Sequence, residues 1–148
     1  MKYLEVGRIY SIPAFLGSFV TGSIYMGLAI GLWAADKAED LIFVFLAPIN
    51  ILIWSPIFIP VAAIVFFPVF FLLSIVHKLS VYYLCISGAL AGLILNFLLE
   101  PLGTPFDYWP PFTFAIGGFV GGYTTYRILS YFAKKEVQST NKVVHDDE

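Results

Sequence analysis

The chain has 148 residues, of which 59% are hydrophobic and 12% carry a charge, and its formal net charge is −2 at pH 7. Soluble domains average roughly 45–50% apolar and about 25% charged residues, so a water-soluble fold could not bury this much apolar surface. The negative charge and the lack of a basic patch exclude nucleic acid as a partner. We therefore expect an all-α integral membrane protein whose main partner is the lipid bilayer.

Four long runs without a charged residue predict the membrane-spanning helices. They cover 9–35, 41–76, 79–99 and 108–126. A helix needs about 20 mainly apolar residues to cross the hydrocarbon core, so three of these runs fit one crossing each. We predict a four-transmembrane-helix bundle forming a single polytopic domain over residues 1–135. Its spans are expected at about 13–34, 57–76, 80–99 and 111–133.

The second run is too long for one straight crossing. Its 36 residues would form a helix of about 54 Å, against a hydrocarbon core of about 30 Å. The sequence Trp54-Ser55-Pro56 favours a break, because tryptophan prefers the membrane interface and proline disfavours helix at the preceding residue. This proline-broken segment predicts an extra interfacial or re-entrant helix at about 41–54, followed by the span. The opposite division, with the span first, stays open.

The distribution of basic residues predicts the topology. With four spans, seven of the eight lysines and arginines fall on one side, and only Lys37 falls on the other. Cytoplasmic loops carry the excess of basic residues, so we expect both termini in the cytoplasm and place the protein in the bacterial inner (plasma) membrane as a multi-pass protein. The expected cytoplasmic anchors are Arg8, Lys78, Arg127, Lys134 and Lys135. The polar tail, 136–148, is expected to be disordered.

Small residues recur at four-residue spacing in three of the predicted helices. Such stripes allow helix backbones to approach closely, and van der Waals packing then holds the helices together. We interpret them as packing faces within the bundle. The alternative is contact with a second copy in a homo-oligomer. The helix-packing residues are Ser23, Gly27, Gly31, Gly88, Gly92, Gly117, Gly118, Gly121 and Gly122.

Three polar residues form a candidate polar site near the outer surface. Asn96 and Glu100 are four residues apart, so they share one face of the third predicted helix. Ionisable groups at membrane depth are costly and tend to mark pathways, which would suit an outward-facing pocket. The structural alternative is that Glu100 ends the helix and Asn96 bonds a neighbouring helix. Asn50, in the doubtful outer segment, is expected to satisfy backbone groups that a proline leaves unpaired.

The sequence contains no pattern that predicts catalysis. Neither His-Glu-x-x-His nor Gly-x-Ser-x-Gly occurs, and the single cysteine, Cys85, cannot form a metal cluster alone. We expect no catalytic residue, metal or cofactor. The function predicted is a non-enzymatic accessory, assembly or protein-interaction module, with another membrane protein as its partner. The alternative is a small oligomeric transporter or channel with its polar site near Asn96 and Glu100.

Overall fold

A computed structural model describes residues 9–38, 42–76, 80–99 and 110–146 of the chain. These ranges are helical and contain no strand. They form four long helices, named here in chain order: α1 is Ser11–Ala38, α2 is Ile42–Ile75, α3 is Val81–Leu99 and α4 is Pro111–Asp146. The prediction of an all-helical protein is confirmed for this part of the chain.

Three segments of these helices are long and apolar enough to cross a membrane. They are Ser11–Ala34 in α1, Phe58–Ile75 in α2 and Val81–Leu98 in α3. A membrane location is therefore supported by three helices of the described chain. The fourth predicted span, 111–133, lies in α4 and is not among them. Its glycines, threonines, tyrosines and Arg127 make this segment less apolar than the other three.

The predicted break in the second run is wrong. Residues 42–75 form one continuous helix, with Pro48, Pro56, Pro60 and Pro68 all inside it, so 41–54 is not a separate interfacial or re-entrant helix. A proline removes one backbone hydrogen bond and can bend a helix. In a lipid environment the rest of an apolar helix stays hydrogen-bonded, because the hydrocarbon core contains no water to replace the backbone hydrogen bonds.

The tail, 136–148, was expected to be disordered, whereas the structure describes α4 as a helix that continues to Asp146. No proline or glycine follows Gly122 in the sequence, so nothing there interrupts the helix. Once a helix is nucleated, each further residue adds one backbone hydrogen bond. The apolar part of α4 supplies that nucleus for the polar part.

The helices pack in the spatial order α2, α1, α4, α3. The most extensive contact is between α3 and α4, and α1 packs equally against α2 and α4, whereas α2 and α3 touch in only a few places. Neighbouring helices are antiparallel, since Ser18 lies beside Gly121 and Gly22 beside Gly117. Three of the four interfaces between adjacent helices are therefore closely packed. The fourth interface, between α2 and α3, is largely open and is named here the open seam.

The path of α2 accounts for this opening. Gly27 of α1 lies against Pro48 of α2, and Phe15 of α1 lies against Phe66, with ring centroids 5.1 Å apart. At 1.5 Å per helical residue, about 27 Å of α2 passes beside about 18 Å of α1. The helix α2 is therefore inclined or bent relative to α1, and its prolines are the usual cause of such bends.

All four helices meet at one end of the structure. The core cluster there takes one buried residue from each helix: Ala14, Phe70, Leu84 and Leu129. Tyr10 stacks on Phe132 at the same end, with ring centroids 3.9 Å apart. The helices α2 and α3 thus share a core at this end, and the open seam lies farther along them.

Candidate functional site

A cavity of about 170 Å³ lies between the four helices, behind the open seam of α2 and α3. It is only partly enclosed, and the sparse contact between α2 and α3 makes their seam the opening that the described helices offer. Its walls are mainly apolar, and aromatic rings form much of them. The phenylalanines that line the cavity are Phe15, Phe19, Phe58, Phe66, Phe70 and Phe114.

Glycines of α4 explain why space remains at the centre of tightly packed helices. Gly117 and Gly121 lie against α1, while Gly118 and Gly122 lie against α3, so two faces of α4 lack side chains. The backbone of α4 can therefore come into van der Waals contact with the backbones of both α1 and α3. The same four glycines also line the cavity, where they leave its floor without side chains.

Hydroxyl groups along the α1 and α4 interface are mostly bonded within the protein. Ser18 and Thr125 share a hydrogen bond between the two helices, and the Ser18 hydroxyl also bonds the carbonyl oxygen of Ala14. One turn away, the Thr21 hydroxyl donates to the Thr124 hydroxyl at 3.0 Å. These bonds fix the register of α4 on α1. They also remove Ser18 and Thr125 as free polar groups of the cavity wall.

Among the described residues of the cavity wall, none has a titratable side chain. Cys85 is buried on α3 but is not part of this wall. Among the described residues, no group of three or more histidine, cysteine, aspartate or glutamate side chains could hold a metal ion. The cavity therefore offers van der Waals contact and hydroxyl hydrogen bonds rather than acid, base or metal chemistry.

The two described residues of the candidate polar site, Asn50 and Asn96, lie away from the cavity. Asn50 is exposed on α2, and Asn96 is half-buried on α3. Neither side chain lines the cavity. Glu100 lies outside the described residues, so the expected pairing of Asn96 with Glu100 stays a prediction.

The small residues singled out from the sequence lie at several different contacts. A Cβ atom at Gly88 would overlap the carbonyl oxygen of Gly118, one at Gly92 would overlap that of Phe114, and one at Gly122 would overlap that of Leu84. Gly27 instead faces α2, where a Cβ atom would lie 2.5 Å from the Cα atom of Pro48. Gly31 is buried near the C-terminal end of α1, and Ser23 lines the cavity.

Sequence reasoning missed the face that α1 turns toward α4. Gly22 meets Gly117 there, with a hypothetical Gly22 Cβ atom 2.7 Å from the carbonyl oxygen of Gly117, and Ser18 meets Gly121 and Thr125. The signal was available, because Ser18 and Gly22 are four residues apart. The stripe of Ser18 and Gly22 lies next to the stripe that begins at Ser23 on the surface of α1. The sequence alone does not say which of these two stripes faces which helix.

The basic residues expected as anchors are only partly described. Arg127, Lys134 and Lys135 are exposed on α4. Arg8 and Lys78 lie outside the described residues. These three residues lie within α4 rather than at its end, so their expected role as cytoplasmic anchors stays a prediction.

Comparison of the chain with known protein families, with curated proteins and with solved structures finds no match.

Proposed function

We propose that this chain is a multi-pass membrane protein whose four helices form a bundle inserted in the bilayer, with both termini in the cytoplasm of a bacterial cell. The position of α4 supports the fourth crossing. It packs between α1 and α3, and its contacts run from Phe114 beside Gly92 to Ile128 beside Gly17. A helix that packs between two membrane-spanning helices from Phe114 to Ile128 is expected to cross the membrane beside them. Burial against its neighbours compensates for its lower apolarity.

We further propose that the bundle is a non-enzymatic accessory, assembly or protein-interaction module. The observation that carries this function is the open seam between α2 and α3. In an antiparallel bundle with short connections, consecutive helices normally pack along their length, as α1 and α2 do here. The seam is the one place in the described bundle where two neighbouring helices leave each other uncovered.

A transmembrane helix of a partner protein suits this seam. Helices associate in lipid through close packing rather than through the hydrophobic effect, so a shaped groove is what distinguishes a partner helix from lipid chains. In the spans of α2 and α3 only 17% of the residues are buried, against 39% in α1, so these two helices have the most free surface to offer. The seam would become a closed interface when the partner packs over it.

The absence of titratable groups from the described cavity wall favours contact over transport. Ion and proton pathways in membranes usually contain charged or strongly polar side chains. Here the candidates Asn50 and Asn96 lie off the cavity, and the serine and threonine hydroxyls of the wall are mostly bonded within the helices. The transporter or channel remains the rival hypothesis, and it would need its site elsewhere.

Affinity purification with a seam-filling variant tests this function. Val65 of α2 lines the cavity, so Val65→Trp would place a large ring in the seam. The control is Val20→Trp, because Val20 is 47% exposed on α1 and lies off the cavity wall. We expect one membrane protein to copurify in mild detergent with the unmodified chain and with Val20→Trp, and to be lost with Val65→Trp. Equal recovery with both variants would contradict a partner at the seam.

A further inference from the structure

The hydroxyl group of Ser23 differs from the other hydroxyls along the inner face of α1. Serine and threonine in a helix usually bond a carbonyl oxygen one turn earlier. Ser18 bonds the carbonyl oxygen of Ala14 in this way, and Thr21 bonds that of Gly17 at 2.8 Å. Ser23 is only 8% exposed and lines the cavity, yet its hydroxyl has no hydrogen-bond partner among the described residues.

A buried hydroxyl without a partner is unfavourable, because it has lost its bonds to water without gaining others. A water molecule is a poor replacement partner here. Buried waters need roughly two to four polar partners, whereas the wall around Ser23 is mostly apolar. The arrangement instead suits a ligand that is apolar over most of its surface and carries one oxygen atom.

The shape and lining of the cavity suit a ring. Phe19, one turn from Ser23 on α1, lines the cavity and continues into Phe15 and Phe66, with ring centroids 6.0 Å apart for Phe19 and Phe15 and 5.1 Å apart for Phe15 and Phe66. Aromatic rings gain about 0.5–1.5 kcal/mol from edge or offset contacts with one another. An apolar cavity of about 150 Å³ in another protein binds benzene. The present volume of about 170 Å³ is similar.

We propose that this cavity binds a membrane-soluble aromatic ring that bears a hydroxyl or carbonyl oxygen, with the Ser23 hydroxyl donating a hydrogen bond to that oxygen. The ligand enters from the bilayer through the seam between α2 and α3. Residues of all four helices of this chain form the site, so it does not depend on the partner helix proposed above. The isolated protein is therefore sufficient for the test.

A matched pair of probes tests the proposal on the full chain in detergent. 4-Methylphenol and p-xylene have nearly the same shape and differ in one hydroxyl group. A hydrogen bond contributes about 0.5–1.5 kcal/mol net, which corresponds to roughly 2- to 12-fold in affinity. By titration calorimetry we expect the unmodified chain to bind both probes and to prefer 4-methylphenol by that factor. Ser23→Ala should remove the preference and leave the affinity for p-xylene unchanged.

Two variants separate binding in the cavity from partition into the detergent. Leu95 lines the cavity on α3, so Leu95→Trp should abolish binding of both probes, whereas its neighbour Ile94 is 48% exposed, and Ile94→Trp should retain it. Val65→Phe provides a second filled cavity if Leu95→Trp does not fold. Equal affinity for the two probes in the unmodified chain would overturn the proposal. So would unchanged binding in the filled variants, or tighter binding of n-decane than of either ring, which would identify a lipid chain as the occupant.

Discussion

Ser18 and Thr125 share a hydrogen bond in the interior of the protein, and this bond joins α1 to α4. Thr125 is only 1% exposed, so water cannot compete for its hydroxyl. Together with the neighbouring hydrogen bond between Thr21 and Thr124, the bond between Ser18 and Thr125 sets the axial register of α4 relative to α1. In this register the glycines of α4 contact the backbones of both neighbouring helices.

Thr125→Val is expected to reduce stability because it removes this bond while keeping the side-chain shape. Interhelical hydrogen bonds in a membrane protein average about 0.6 kcal/mol, with a maximum near 1.7 kcal/mol. We expect a loss in this range, measured by unfolding in mixed detergent micelles. Ser18→Ala should cost a similar amount, and the double variant should cost little more than either single one. Fully additive losses would mean that the two hydroxyls do not interact.

Two glycine substitutions should differ sharply in their effect on stability. Gly92→Ala places a Cβ atom on the carbonyl oxygen of Phe114, and a backbone atom cannot move unless α3 and α4 separate. We expect a loss of about 1–3 kcal/mol or more, as for other overpacked sites. Gly121→Ala places its Cβ atom 3.1 Å from the carbonyl oxygen of Ser18, which is tight but tolerable.

For Gly121→Ala, the strain is offset by the higher helix propensity of alanine, which is worth about 1 kcal/mol. We therefore expect it to be nearly neutral. Unfolding of both variants in the same detergent provides the comparison, with each variant as the control for the other. Equal stabilities of the two variants would contradict the close approach of α3 to α4.

The sequence predicts the apolar segments of α1, α2 and α3 well, including 57–76 beside the observed Phe58–Ile75, but not the full lengths of α2 and α4. Charge-free runs gave spans at 13–34 and 80–99, close to Ser11–Ala38 and Val81–Leu99. In α2, the local preference at Pro56 for a break is outweighed by helix hydrogen bonding and by packing of the N-terminal half against α1. In α4, polar residues were interpreted as disorder, although nothing in them interrupts a helix.

The cavity could not have been predicted from the sequence. Small-residue stripes indicate close helix contacts, but the space behind the seam depends on how α2 is inclined and on which glycines face inward. Ser23 was assigned to a packing stripe because its spacing from Gly27 is all that the sequence offers. Whether its hydroxyl finds a hydrogen-bond partner among the described residues depends on side-chain conformation and on the positions of the neighbouring helices.

Topology reporters test the proposed number of crossings. A reporter fused after Lys135 and one inserted beside Lys78 are expected to report the cytoplasm, and one inserted between Gly103 and Asp107 the outer side. Basic residues favour the cytoplasmic side, which is the reason for this expectation. If α4 did not cross, the positions at 103–107 and after Lys135 would report the same compartment.

Flux measurements separate the interaction module from a transporter. In reconstituted vesicles we expect the unmodified chain to show ion and solute flux no higher than empty vesicles. Asn96→Leu combined with Glu100→Gln should then change nothing, since an interaction module has no flux to lose, and Asn96 is not among the described residues of the cavity wall. Saturable flux that Glu100→Gln abolishes would favour the transporter, because a carboxylate near low dielectric is a suitable proton or cation site.

Site-specific photo-crosslinking in cells is the most direct test of a partner at the open seam. A benzophenone amino acid is introduced at Val65 or Leu95, which line the cavity from α2 and α3, and as controls at Val20 or Phe119, which are 47% and 50% exposed on α1 and α4. We expect one protein adduct of discrete mass from both seam positions and none from the controls. Lipid adducts alone at the seam, or the same protein adduct at all four positions, would contradict the proposed interaction module.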